Sequence, residues 1–336
     1  MAWLSGWSYR KSVTLSRASG AVTNYQMKLL VGESSGASGE DVDCGGLCQS
    51  DFDDLRFTTS DGETLLDYWI ESKSGTTPNQ LATVWIEFDS IGTSATTFYM
   101  YYGNASASAA SNGGDTFLVF DDLEYGEDGG TLTGAVTQRQ NTAKISTDHA
   151  FSGTRCCKIY GMDGGTNSVA HAAHTADDND SELRVRAWKE GNTRAGIGMG
   201  KNNYSVSVRI GTNEVVTCYP NSTNLGTMPA DQWVEFVVNA INYTAKTYNL
   251  YMNGNLLKSG ATMESSIYAN NVATFAALYC GSGNDFYVDN VLIRNWRATE
   301  PAWGSWGSQE TASRGLGIYA PNVSWLSKSL LKRREI

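Results

Sequence analysis

Apolar and polar residues alternate with a period of two in one run after another of this chain. Tyr25, Met27, Leu29 and Val31 form one series, Val84, Ile86 and Phe88 another, and Phe98, Met100 and Tyr102 a third. The pattern returns in Leu183, Val185 and Ala187, in Tyr204, Val206, Val208 and Ile210, and in Val234, Phe236 and Val238. Successive side chains of a strand point to opposite faces, so this period predicts strands that each bury one face. Tyr248, Leu250 and Met252 lead into Asn253-Gly254 and then Asn255-Leu256-Leu257. Asn-Gly between two β-type runs suits a tight turn that needs positive φ at both central positions, and a hairpin is predicted there. A last strand is predicted over DFYVDNVLIRNW, from Asp285 to Trp296.

The segment YGNASASAASNGGD, from Tyr102 to Asp115, is small and polar and offers nothing to a core. It divides the chain into a first β-sandwich domain over 1–104, a linker over 105–115 and a second domain over 116–308. From 309 to 336 only scattered apolar residues remain, around WLSKSLLKRREI, and this segment reads as an extended tail with a helical turn or two at Trp325 to Leu331. The predicted fold class is therefore all-β, two jelly-roll-like sandwiches followed by a C-terminal arm.

Composition agrees with short strands and tight turns: 336 residues contain 10 Trp, 17 Tyr, 10 Phe and 35 Gly but only 5 Pro. The net charge of −10 repels phosphate backbones and anionic lipid, so neither nucleic acid nor a membrane surface is an expected partner. No apolar run approaches the roughly 18 residues that would cross a bilayer. The opening MAWLSGWSYRK lacks the charged and apolar regions of a secretory signal, which sets an expectation of synthesis in a host cytoplasm. Six cysteines, at 44, 48, 156, 157, 218 and 280, are too sparse for a disulfide scaffold; Cys44 and Cys48 are close enough to clip one loop and are the candidate disulfide.

Several ordered motifs carry a resemblance. GWSYRKSVTL at Gly6, NYQMKLLV at Asn24, DFDDLRFTTSDGETLLDYWIES at Asp51, VWIEF at Val84 and FYMYYGN at Phe98 together resemble a family of uncharacterised β domains found in bacterial, archaeal and phage surface proteins. FLVFDDLE, WVEFVVNAINYTAKTYNLYMNGNLL and DFYVDNVLIRNW, in that order, make residues 116–306 similar to a concanavalin A-like or laminin-G-like jelly roll. The first resemblance implies a surface setting without a reaction. The second implies glycan binding or a structural Ca²⁺, or neither, since many such domains only pack against neighbours.

Against that background Asp121, Asp122 and Glu124, near the opening strand of the second domain, and Asp285 and Asp289, in its closing strand, are the candidate calcium ligands. First and last strands of a jelly roll commonly adjoin, and Ca²⁺ takes six or more oxygens; turn-forming, solvated carboxylates are the plain alternative. Trp188, Tyr204, Tyr219 and Trp233 are the candidate glycan-stacking residues, with Trp188 opposite in phase to Leu183, Val185 and Ala187 and so expected to face outward. The competing role for all four is packing.

Other groupings fall short of a chemistry. Asp41, Asp43, Asp51, Asp53 and Asp54 lack the ligand order of an EF-hand. His171 and His174 lack further zinc ligands at a recognisable spacing. Gly196, Gly198, Gly200 and Lys201 precede an alternating strand rather than the helix a phosphate loop requires. No strand carries the paired carboxylates of a jelly-roll glucanase, and no G-x-S-x-G elbow occurs. The sequence points to a non-enzymatic structural or adhesive component of an extracellular assembly, a phage virion protein (tail, fibre or capsid decoration) with a lectin-like domain. It would form a homo-oligomer and dock on neighbouring subunits through its tail. A soluble carbohydrate-binding module or glycan-active enzyme is the alternative.

Overall fold

A computed structural model describes residues 2–36, 39–139, 143–160, 168–174, 181–201, 204–265, 273–279 and 285–312. The chain is almost entirely strand, with a single four-residue helix, Gly113–Thr116, among the described residues.

Two sheets face each other in the first sandwich. One runs in the order Ala302–Trp303, Tyr9–Ser16, Thr96–Tyr102, Arg56–Thr58, Leu65–Leu66; the other in the order Val42–Asp43, Val22–Gly32, Leu81–Ile91, Tyr68–Ser74. The alternating residues of the three early series are buried in the core between them. In the second sandwich each sheet has eight strands. The sheet that concerns the site runs Ala143–Ser146, Cys156–Ile159, Phe286–Asn295, Ser181–Lys189, Val234–Asn242, Thr247–Met252, Asn255–Thr262, with Val119–Asp121 also paired to Phe286–Asn295. Leu183, Val185 and Ala187 pack inward against Val206, Val208 and Ile210 of the opposite sheet, as their period requires. The predicted hairpin is present. Met252 pairs with Asn255 across Asn253 (φ 47°) and Gly254 (φ 77°), the left-handed pair that a twisted two-residue turn demands.

The domain limits differ from the sequence reading at the C-terminal side. Residues 302–311, divided in that reading between the second domain and a free tail, return to the first sandwich. Leu15 and Ser16 pair with Trp303 and Ala302, and Tyr9 and Arg10 pair with Thr311 and Glu310. Between them Gly304 N donates to Thr14 O, and Gly307 N to Ser12 O, both at 2.8 Å. Trp303 and Trp306 pack on the first core, Tyr102 donates to Gln309 Oε1 at 2.9 Å, and Arg10 pairs with Glu310 at 2.8 Å. Two-residue pairings with Gly between them leave no alternation to read, which is why this strand was invisible in the sequence. The Trp325 to Leu331 turns fall outside the described residues.

The 105–115 segment is also bound rather than free. Gln49 donates to Asn104 O and Ala107 O, Arg56 to Ser108 O, and Asn112 caps the short helix by accepting from Gly114 N. The candidate disulfide is absent as well: Cys44 and Cys48 are free thiols. Cys44 is buried in the first core, where burial and the neighbouring Cys48 thiol hold its pKa well up.

The first sandwich rests on the outer face of the second. Trp69, Trp85, Phe117 and Leu292 form a small apolar cluster at this contact, joined by Phe120, whose ring centroid lies 4.7 Å from that of Trp69. Beside it Arg294 donates to Glu182 Oε1 at 2.8 Å, to Gln26 O at 3.2 Å and to Glu300 Oε1 at 2.8 Å, so a single guanidinium ties both sandwiches to the returning segment.

Candidate functional site

The outward face of the strand Ser181–Lys189 carries Glu182, Arg184, Arg186 and Trp188, alternating with the buried Leu183, Val185 and Ala187. The cross-strand register lines these residues up with their neighbours. Arg184 pairs with Val237 and Leu292, Arg186 with Glu235 and Asp289, and Trp188 with Tyr287. The first sandwich covers the Glu182 and Arg184 end of this face. The Arg186 and Trp188 end stays open, and there an aromatic patch collects.

Trp188 and Trp233 meet with ring centroids 5.9 Å apart at 62°, and Phe151 meets Trp233 at 6.0 Å and 74°. His149 stacks on Trp188 at 4.5 Å and 18°, with its ring edge-on to the buried Tyr287. Arg186 lies over Phe151 at 4.3 Å, and its guanidinium also reaches Glu235 at 3.1 Å and Glu71 of the first sandwich at 3.4 Å. Phe151 is 37 % exposed, and Trp188 and Trp233 are half-buried. The rim is polar. Lys158 is held between Asp148 at 2.7 Å and Asp285 at 3.0 Å, and Glu190 accepts from Tyr287 at 2.9 Å.

The loop carrying His149 and Phe151 is pinned by two of the carboxylates predicted to bind calcium. Asp289 Oδ2 accepts from Phe151 N at 2.8 Å and Ser152 N at 3.3 Å, while its Oδ1 accepts from Asn290 N. Burial raises the Asp289 pKa to about 7, against the pull of those amides. Glu124 accepts from Thr154 N and Arg155 N at 2.9 and 2.8 Å. Asp121 accepts from Leu123 N, Val136 N and Tyr125 OH; Asp122 accepts from Glu124 N; Asp285 faces Lys158.

The opening and closing strands do adjoin, Asp121 pairing with Val291. N–H and ammonium groups engage oxygens of all five, and among the described residues no three His, Cys, Asp or Glu side chains gather as ligands.

Of the four aromatic residues singled out in the sequence, the structure brings together Trp188 and Trp233. Tyr204 belongs to the other sheet of the sandwich and Tyr219 to a turn between two of that sheet's strands, where Lys246 lies over Tyr204 at 4.1 Å and Arg209 over Tyr219 at 3.6 Å. The sequence reading missed Arg186, His149 and Phe151. Arg186 was legible, being in phase with Trp188. His149 and Phe151 sit in a loop without periodicity and had no such signal. The side chains of His171 and His174 lie outside the described residues.

A family described as a domain of unknown function, DUF2341, matches residues 51–131, from the middle of the first sandwich to just past the Val119–Asp121 strand. No curated protein matches the chain. Solved structures similar to it include the cellulose-induced protein Cip1, with 15 % identity and a TM-score of 0.36 over 54 % of this chain and 99 % of that one. Another is a carbohydrate esterase of the Shiga toxin-encoding bacteriophage phi24B, with 8 % identity and a TM-score of 0.36 over 49 % and 91 %. A third is the CBM22 tandem of Paenibacillus barcinonensis Xyn10C, with 10 % identity and a TM-score of 0.33 over 87 % and 80 %. Likeness at this level assigns no ligand to this chain.

Proposed function

We propose that this protein is a carbohydrate-binding component of an extracellular assembly, acting by adhesion rather than catalysis. The observation that carries the reading is the open patch of Trp188, Trp233 and Phe151, rimmed by Arg186, Glu190, Asp148 and Lys158. Aromatic rings in a water-facing site offer their faces to the C–H face of a pyranose, and the polar rim supplies hydrogen bonds that orient it. A binding role suits the rim's carboxylates. Asp148 and Asp285 are committed to Lys158 and Glu190 to Tyr287, while Asp289, whose raised pKa would suit a general acid, is buried beneath the loop.

On a glycan array the intact protein is expected to bind a defined set of sugars, and Trp233→Ala to weaken that binding at least tenfold while the variant still unfolds cooperatively well above the assay temperature. Absence of binding across the array removes the reading. The extracellular setting, on a phage-type particle among copies of this chain and other surface subunits, rests on the resemblance of the first hundred residues to surface-protein domains. Peptides of this chain are expected in purified particles, and their absence there removes the placement.

A further inference from the structure

Charge around the rings is unevenly matched. Arg186 is shared between Glu71 and Glu235, and Lys158 between Asp148 and Asp285. Glu190, 3.8 Å from the His149 imidazole, adds a fifth carboxylate. Thus each cation of the rim already serves two carboxylates. Arg186 meets both of its carboxylates through Nη2, and Lys158 lies between its two, so among the described residues carboxylates outnumber these cations five to two around the rings. Glu71 and Glu235 are only 13 and 15 % exposed, which weakens the screening of their charge by salt.

The rings have a geometry of their own. Trp188 and Trp233 stand at 62°, and Trp233 and Phe151 at 74°. A flat crystalline polysaccharide face can touch several rings at once only where they are coplanar. Rings at these angles form facets that meet one sugar unit at a time.

From these two features we infer that the patch takes a single, uncharged glycan chain and rejects uronic, sialic and sulfated sugars. The inference rests on the carbohydrate reading and narrows it to a ligand class. A carboxylate on the sugar would stand among like charges, each about 8 Å neighbour costing about twofold in affinity at the dielectric of bulk water and more at the partly buried Glu71 and Glu235. Neutral hydroxyls meet no such penalty, and they find acceptors in the same carboxylates.

The test is affinity electrophoresis of the full chain in native gels at low salt, with laminarin, xyloglucan and galactomannan as uncharged probes and polygalacturonate, alginate and heparin as anionic ones. At least one uncharged probe is expected to retard the protein, Trp233→Ala to abolish the retardation, and no anionic probe to retard it. Retardation by an anionic probe that is lost in Trp233→Ala overturns the inference while sustaining the carbohydrate reading; failure of every probe removes that reading and the inference with it. A second variant, Asp148→Asn with Asp285→Asn, releases Lys158 and removes two charges at about twofold each, and at low salt it is expected to be retarded by at least one anionic probe that leaves the wild type unretarded. No gain overturns the electrostatic cause. Microcrystalline cellulose should deplete the wild type and Trp233→Ala equally, and stronger depletion of the wild type overturns the single-chain part.

Discussion

Replacing Arg294 by Met tests how the two sandwiches are held together. The Arg294 and Glu182 side chains are 7 and 3 % exposed, and the guanidinium joins Glu182, Glu300 and the Gln26 and Asn295 carbonyls while lying 5.3 Å from the Trp85 ring. Methionine fills most of the volume but strands Glu182, whose remaining partners are Arg184 at 2.9 Å and Asn239 at 3.2 Å. Removing one member of a buried pair costs about 3–5 kcal/mol, and the surviving Arg184 contact places this case near 3 kcal/mol. Much of that loss is the stranded charge. Glu182→Gln in the Arg294→Met background should therefore recover about 1–2 kcal/mol, a coupling that urea denaturation of the four proteins of the cycle measures.

Acid sharpens the test. Burial opposes the charged form of Glu182, but Arg294 and Arg184 bring its pKa down to about 2, from an ordinary value of 4.5. A depressed carboxylate contributes stability that is present above about pH 4.5 and lost as pH falls towards 2. The wild type should lose stability across that window, and Arg294→Met should lose less. A cost below about 1 kcal/mol for Arg294→Met, or purely additive losses in the cycle, would refute the reasoning.

Three further outcomes are expected. Asp289 has its pKa raised, so the folded protein binds the extra proton between about pH 4 and 7 and stability falls as pH rises through that range, by on the order of 4 kcal/mol at most. Melting temperatures at pH 5 and pH 8 should differ accordingly in the wild type and by less in Asp289→Asn, where Glu87, raised by burial to about 7 as well, accounts for the remainder. Truncation after Gly307 removes the Glu310 partner of Arg10 and the Gln309 partner of Tyr102, and should destabilise the first sandwich by about 2–3 kcal/mol, read as an earlier denaturation transition; an unchanged transition would show that residues 308–312 contribute nothing to it. With a thiol reagent under native conditions, peptide mapping should find Cys48 labelled and the buried Cys44, Cys156 and Cys157 protected, and prompt labelling of Cys44 would contradict its place in the core.

Much of the fold was legible because burial of one face leaves a period of two. Tyr25 to Val31 and Leu183 to Ala187 announced their strands that way, and Asn253-Gly254 named its own turn. Within the site, the same phase argument turned Trp188 outward. Contacts made by loops or by very short pairings escaped. Phe151 is positioned by a carboxylate 138 residues away, and Glu310 finds Arg10 across 300 residues, separations over which no local pattern carries information. The carboxylates offered as calcium ligands show the same gap: sequence places them near one another but does not say that Asp289 and Glu124 will accept from the amides of one loop.

The return of residues 302–311 to the edge of the Tyr9–Ser16 strand sets a timetable for synthesis. About 200 residues separate Tyr102 from Ala302, so at ribosomal speeds of about 5–20 residues per second the early sheet waits roughly 10–40 s with its edge unpaired. An open edge held that long near a ribosome invites pairing with another nascent copy. How long that edge lies open is thus set by where the last strand of the first sandwich falls in the chain.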